Sequence, residues 1–225
     1  MDKKQLLDAF YEIISESKIE MFDRIASERT NYLTVVLENV FQEHNASAVL
    51  RSCDCFGIQN LHVIEKENQY KVQRDIALGA GRWVDVFNYD QGDNPTLDCL
   101  QKLKEKGYKI VATTPHEKDC LISDLDLSQP VALVFGTERK GISKVVEDMA
   151  DEFVKIPMYG FTESFNVSVS AAITLNVLRE RLEKSEINWK LDDKEQVDLK
   201  LKWSKKIVNK GEMLEQELIK RLSLD

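Results

Sequence analysis

Residues 32–64 read YLTVVLENVFQEHNASAVLRSCDCFGIQNLHVI, and two changes of hydrophobic period inside this stretch decide the fold. The run at 32–37 is apolar and β-branched, which predicts a strand. Positions 46–56 take on a helical spacing that stops at Gly57, and 61–64 return to a strand. The alternation recurs downstream. Asn94-Pro95 starts a helix that stops at Gly107, 108–112 and 131–135 are strands, and 153–156 gives one more. Short strands with no polar alternation, separated by helices, predict an α/β fold. Its mostly parallel sheet is covered on both faces, and ligands bind beyond the carboxyl ends of the strands.

Outward from this centre the chain is helical. Leu6, Leu7, Phe10, Ile13 and Ile14 form one apolar stripe, and a second short helix is expected at 19–29. At the other end, 167–182 reads as a helix rich in small residues. A charged helical tail follows from about Asp192, with an imperfect stripe at Val197, Leu201 and Trp203 or Ser204. The expected organisation is an N-terminal helical extension at 1–30, a central domain at 31–184 and a C-terminal helical extension at 185–225. No repeat and no Gly, Ser or Pro-rich linker marks a second globular domain.

Composition agrees with one ordinary domain of about 150 to 200 residues plus extensions. The 225 residues are 43% hydrophobic and 31% charged, enough to fill a core and too apolar for disorder. No apolar run approaches the roughly 20 residues that cross a bilayer, so no membrane partner is expected. The first residues mix acid and base and lack a signal stretch, and four Cys do not make a disulfide framework; a cytoplasmic protein is expected. No HxxxH or Cys/His cluster predicts a metal. The net charge of −8 argues against general coating of nucleic acid, but allows a local basic patch.

Three segments carry candidate chemistry. FGTERKGIS at 135–143 has glycines spaced like a phosphate loop, but Ile142 stands where the lysine belongs, and the carboxylate of Glu138 would repel a triphosphate. A carboxylate there suits a cationic, nucleoside-containing ligand. IPMYGFTESFNVSVSAA at 156–172 sets Ser164, Asn166, Ser168 and Ser170 at a loop-to-helix junction, where helix capping is the plain alternative to ligand binding. LENVFQEHNASAVLRSCDCFG at 37–57 carries Asn45 as a helix cap and Arg51 in the second turn, the plain alternative for Arg51 being an ion pair with Asp54.

In this order the three segments resemble the SPOUT superfamily of methyltransferases, most closely its TrmH (SpoU) branch, over residues 31–182. The resemblance implies a C-terminal trefoil knot, a homodimer, and S-adenosylmethionine held in the knot loops by Thr113, Gly136, Ile156, Met158 and Phe165. It also implies that Asn45, Arg51, Glu138, Ser164 and Asn166 line the reaction site. The implied reaction is methylation of a ribose 2'-hydroxyl in RNA. Guanosine in the tRNA D-loop is the first substrate, rRNA the second, and a non-catalytic RNA-binding or assembly protein on the same fold the alternative. A guanidinium stays protonated, so Arg51 is read as binding phosphate and stabilising the developing alkoxide; the family's alternative makes it the proton acceptor. Glu43 and Phe165 stand where the branch commonly has Pro and Leu, which removes no chemical group. RNA needs a local basic patch. Arg51, Arg74, Arg82, Arg139 and Lys140 are candidates near the pocket. Lys200, Lys202, Lys205, Lys206 and Lys210 are candidates on the tail, where a solvated helix face is the competing reading.

Overall fold

Two helices, α1 (Lys3–Tyr11) and α2 (Glu16–Ala26), precede the first strand. The computed structural model describes residues 2–40, 42–65, 73–114, 120–137 and 140–222, with the backbone alone at 74 and 75. The chain continues through β1 (Leu33–Glu38), α3 (Glu43–Cys55), β2 (Asn60–Ile64), α4 (Arg74–Ala77), β3 (Asp85–Tyr89), α5 (Pro95–Glu105), β4 (Lys109–Thr113) and β5 (Cys120–Leu121). It then forms β6 (Val131–Phe135), α6 (Lys144–Met149), β7 (Glu152–Lys155), α7 (Val167–Glu183), α8 (Asp193–Ile207) and α9 (Gly211–Leu222).

The chain divides into two compact units, one comprising residues 31–189 and the other residues 1–30 together with 190–225. In the first, seven strands form one sheet in the order β3-β2-β1-β6-β4-β7-β5, and every pairing is parallel. The registers Val35↔Leu61, Val35↔Leu133 and Val111↔Leu133 align the apolar runs across the middle. Leu33, Val35 and Leu37 pack on one face with α3 and α7, while Val36, Ile110, Ala112 and Val134 pack on the other with α5 and α6. Both faces are buried, so the central strands carry no polar alternation. Chain order and sheet order differ: β6 lies between β1 and β4, and β7 lies between β4 and β5.

Near the β3 edge, His62 is buried, stacks on Phe87 with ring centroids 4.9 Å apart, and has Nδ1 3.1 Å from the Tyr89 hydroxyl. Burial, with the charge of Lys106 second, lowers its pKa from 6.5 to about 4. Between those values the unfolded chain takes up a proton that the folded chain refuses. Stability from this residue is therefore fully present above about pH 6.5. It should fall by about 3 kcal/mol as the pH drops through 4. Denaturant titrations from pH 7 to 4 should show His62→Gln losing much of that acid-side slope; an unchanged slope would place the sensitivity elsewhere.

In the second unit, α1, α2, α8 and α9 enclose Leu6, Leu7, Phe10, Ile14 and Leu201. The Phe22 and Trp203 rings meet at 5.4 Å, and the Arg29 guanidinium lies 5.5 Å from the Trp203 ring. A capping box starts α8, with Asp192 accepting from the Glu195 amide and Glu195 accepting from the Asp192 amide. The expected continuous tail is two helices, broken where Val208 leaves the helix and Lys210 takes a φ of 53°. Among the tail lysines, Lys200 pairs with Asp23 at 2.7 Å and Lys205 with Glu215 at 3.0 Å. Pairs of this kind leave less positive charge for a polyanion than the lysine count suggests. No helix of the described residues is long and apolar enough to cross a membrane.

Candidate active site

Because the sheet is parallel, β4, β6 and β7 present their carboxyl ends side by side, and a cleft of about 360 Å³ opens beyond them. Thr113 comes from the end of β4, Gly136 follows β6, and Ile156 and Met158 follow β7; Ser164 and Phe165 come from the loop before α7. The five residues expected to hold the donor, Thr113, Gly136, Ile156, Met158 and Phe165, thus line one cavity, together with Ser164. The Thr113 hydroxyl donates to the Val134 carbonyl at 3.0 Å, which ties β4 to β6 at the cleft's base.

Gly136 opens a tight loop closed by two backbone hydrogen bonds, Thr137 N–H to Gly141 O at 2.9 Å and Gly141 N–H to Thr137 O at 3.0 Å. A β-carbon at Gly136 would lie 2.2 Å from the Gly141 carbonyl oxygen, so only glycine permits this approach. Glu138 and Arg139 lie outside the described residues, as does the side chain of Arg74. The far side of the loop is anchored by Glu38, a buried carboxylate at the end of β1. It accepts from the Ser143 amide at 2.8 Å, the Ser143 hydroxyl at 2.6 Å and the Thr96 hydroxyl at 2.9 Å. A buried carboxylate persists when its oxygens are satisfied in this way. Glu38 was not singled out from the sequence, although one charge ending the apolar run TVVLE was a visible signal.

Asn166 caps α7: its Oδ1 accepts from the Ser168 amide at 2.9 Å and the Ser168 hydroxyl at 2.6 Å. Its Nδ2 donates to Asn45 Oδ1 at 3.0 Å, and Asn45 Nδ2 donates to Gln42 Oε1 at 2.9 Å. Asn45 is therefore not the cap of α3. The helix starts at Glu43, and Asn45 is buried in its first turn, where it couples α3 to α7. Arg51 sits further along α3, exposed, with no hydrogen bond or ion pair among the described residues, so the alternative reading of it as an ion-pair partner of Asp54 fails. Neither Arg51 nor the two asparagines belong to the cleft lining. Ser170, noted in the sequence at the loop-to-helix junction, does belong to it, as do Lys155, Glu163 and Thr174, which the sequence did not single out.

Residues 32–176 match the SpoU rRNA Methylase family, a span that contains the whole sheet, the cleft and most of α7. The chain belongs to the SpoU methylase family. A tRNA (guanosine(18)-2'-O)-methyltransferase of Borreliella burgdorferi is 39% identical over 202 residues, covering 90% of this chain and 91% of that protein. The A. aeolicus TrmH/SpoU tRNA modifying enzyme has a similar structure, with a TM-score of 0.76 and 30% identity, over 86% of this chain and 98% of that one. The SpoU methyltransferase AviRb from Streptomyces viridochromogenes, solved in complex with AdoMet, shares the fold. Its TM-score is 0.61 at 23% identity, over 72% of this chain and 65% of that one.

Proposed function

We propose that this SpoU methylase transfers a methyl group from S-adenosylmethionine to the ribose 2'-hydroxyl of a guanosine in the D-loop of tRNA, in the cytoplasm. The observation that carries the reading is the 39% identity, over 90% of this chain, to a guanosine-18 tRNA methyltransferase, an alignment long enough to extend through the cleft-forming segments of this chain. The cleft suits the donor. Its volume falls within the few hundred Å³ typical of small-ligand sites. Buried apolar walls at Phe135, Val154 and Ile122 suit a base, and the charged Lys140, Lys155 and Glu163 suit an amino-acid zwitterion. When bound, S-adenosylmethionine supplies an electrophilic methyl on a sulfonium.

The chain's own residues then have separable tasks. Thr113, Gly136, Ile156, Met158 and Phe165 hold the donor. The Asn45–Asn166 hydrogen bond fixes α3 against the start of α7, and Ser164 shapes the loop between them and the cleft. The Arg51 guanidinium, without a partner among the described residues, meets RNA phosphate and opposes the charge that develops on the ribose oxygen. In-line alignment of oxygen, methyl and sulfur supplies most of the acceleration.

In this reading residues 31–184 form the transfer domain and 1–30 and 185–225 its helical extensions. The insertion of β6 between β1 and β4, and of β7 between β4 and β5, supports a trefoil knot formed by the last strands. Tyr159 and Phe161 are fully exposed, and Phe165 and Val169 are exposed beside them in sequence. An apolar group of this kind supports a second copy of the chain as the partner that covers it.

The test is to incubate the chain with unmodified tRNA and S-adenosylmethionine and to map ribose-methylated nucleosides by mass spectrometry. One 2'-O-methylguanosine in the D-loop is expected, from a species twice the 25.9 kDa chain mass by light scattering. Methylation of rRNA alone, or RNA binding with no methylation, would overturn the assignment; a monomeric active species would remove the dimer.

A further inference from the structure

Other buried helix hydroxyls of this chain are satisfied within the protein: Thr96 donates to Glu38, and Ser47 and Ser204, like the half-buried Ser52, bond the backbone of their own helix. Ser47 donates to the Glu43 carbonyl at 2.8 Å, Ser52 to Ala48 at 2.9 Å and Ser204 to Lys200 at 2.8 Å, each reaching back one turn. That is the ordinary way for a hydroxyl inside a helix to be satisfied. Thr174, in the middle of α7, departs from it. It is 1% exposed, and its Oγ1 has no hydrogen-bond partner among the described residues. It also lines the cleft. A buried hydroxyl without a partner is disfavoured, and each such group needs a reason.

The surroundings supply one. Phe135, Val154 and Ile122, all buried, line the cleft with Thr174, whereas Lys140 and Glu163 in the same lining are exposed. The buried part of the lining is thus apolar apart from the Thr174 hydroxyl, and the exposed part includes charges of both signs. A flat heteroaromatic base with hydrogen-bonding edges matches the first, and an amino-acid zwitterion matches the second. A threonine hydroxyl can donate one hydrogen bond and accept others, so it can meet either a ring nitrogen or an exocyclic amino group.

We propose that the Thr174 hydroxyl hydrogen-bonds the adenine edge of the methyl donor and is a specificity-determining contact for that base. The assignment rests on the reading of the cleft as the donor site. It makes α7 a contributor to donor selection along its length as well as at its capped start.

Calorimetry with S-adenosylhomocysteine separates the possibilities. Thr174→Val should weaken binding by about 3- to 10-fold. Because the hydroxyl has no partner to lose among the described residues, the melting temperature without ligand should stay the same or rise. Discrimination between S-adenosylhomocysteine and its inosine analogue should shrink in the same variant. If the valine variant does not fold, Thr174→Ser and Thr174→Ala replace it, the serine keeping wild-type affinity and the alanine losing it. Equal affinity with and without the hydroxyl, or undiminished discrimination, overturns this assignment alone. A wild-type chain that binds no S-adenosylhomocysteine overturns the donor-site reading beneath it.

Discussion

Replacing Arg51 with alanine is expected to slow methyl transfer to tRNA by about 100- to 1000-fold, the usual loss when one preorganised charge at a reacting oxygen is removed. Binding of S-adenosylhomocysteine should change by no more than about twofold, since exposed substitutions that break no contact have small effects. The structural basis is the isolation of Arg51. It is exposed on α3, has no hydrogen-bond or ion-pair partner among the described residues, and takes no part in the cleft lining. Arg51→Lys should recover only part of the rate, because an ammonium keeps the charge and loses the planar fork that grips phosphate. Single-turnover rates with saturating tRNA, beside calorimetry of the same preparations, make the comparison. Wild-type transfer in the alanine variant, or lost donor affinity in a folded one, would remove the assigned role.

Gly136→Ala should have the largest effect on donor binding, weakening S-adenosylhomocysteine by at least about 100-fold, or roughly 2.7 kcal/mol. The added methyl would lie 2.2 Å from Gly141 O, 2.3 Å from Gly141 C and 2.5 Å from Ile142 N. All three are backbone atoms, so no side-chain rotation relieves the clash. The loop is pinned between the Thr137–Gly141 hydrogen bonds and the Glu38–Ser143 contacts, so it can move only by breaking one set. Overpacking of this kind costs about 1–3 kcal/mol of stability, which urea titration would register. Gly160→Ala is the control. It lies between cleft residues Met158 and Glu163, and its added methyl would meet nothing nearer than Thr162 N at 4.0 Å. Donor affinity that survives in Gly136→Ala would locate the donor outside this cleft.

The central strands were legible because they are buried on both faces: TVVL in β1 and VALVF in β6 carry no competing polar signal. β3 was not, since DVFNY lies at an edge and exposes part of every residue, so its composition resembles a loop. β5 spans only two residues and exists through its pairing with β7. At the site, the order of the three segments located the cleft-forming loops, because loop chemistry is written locally in glycines, caps and turn residues. What joins those loops is not local. Asn45 meets Asn166 across 121 positions and Glu38 meets Ser143 across 105, and no spacing rule connects residues so far apart. Thr174 is invisible for a different reason: a threonine in a helix ordinarily satisfies itself, and only the fold reveals that this one does not.

The place of β6 in the sheet also governs the order in which the molecule can be made. The edges of β1 and β4 that face β6 stay open until Val131–Phe135 has left the ribosome, because no earlier strand occupies that gap. At translation speeds of about 5–20 residues per second, that leaves β1 exposed for roughly 5–20 seconds. Through that interval the nascent chain presents two apolar, hydrogen-bond-hungry borders, the kind of template that recruits foreign strands. Mispairing is open to the half-made protein until the sixth strand closes the gap.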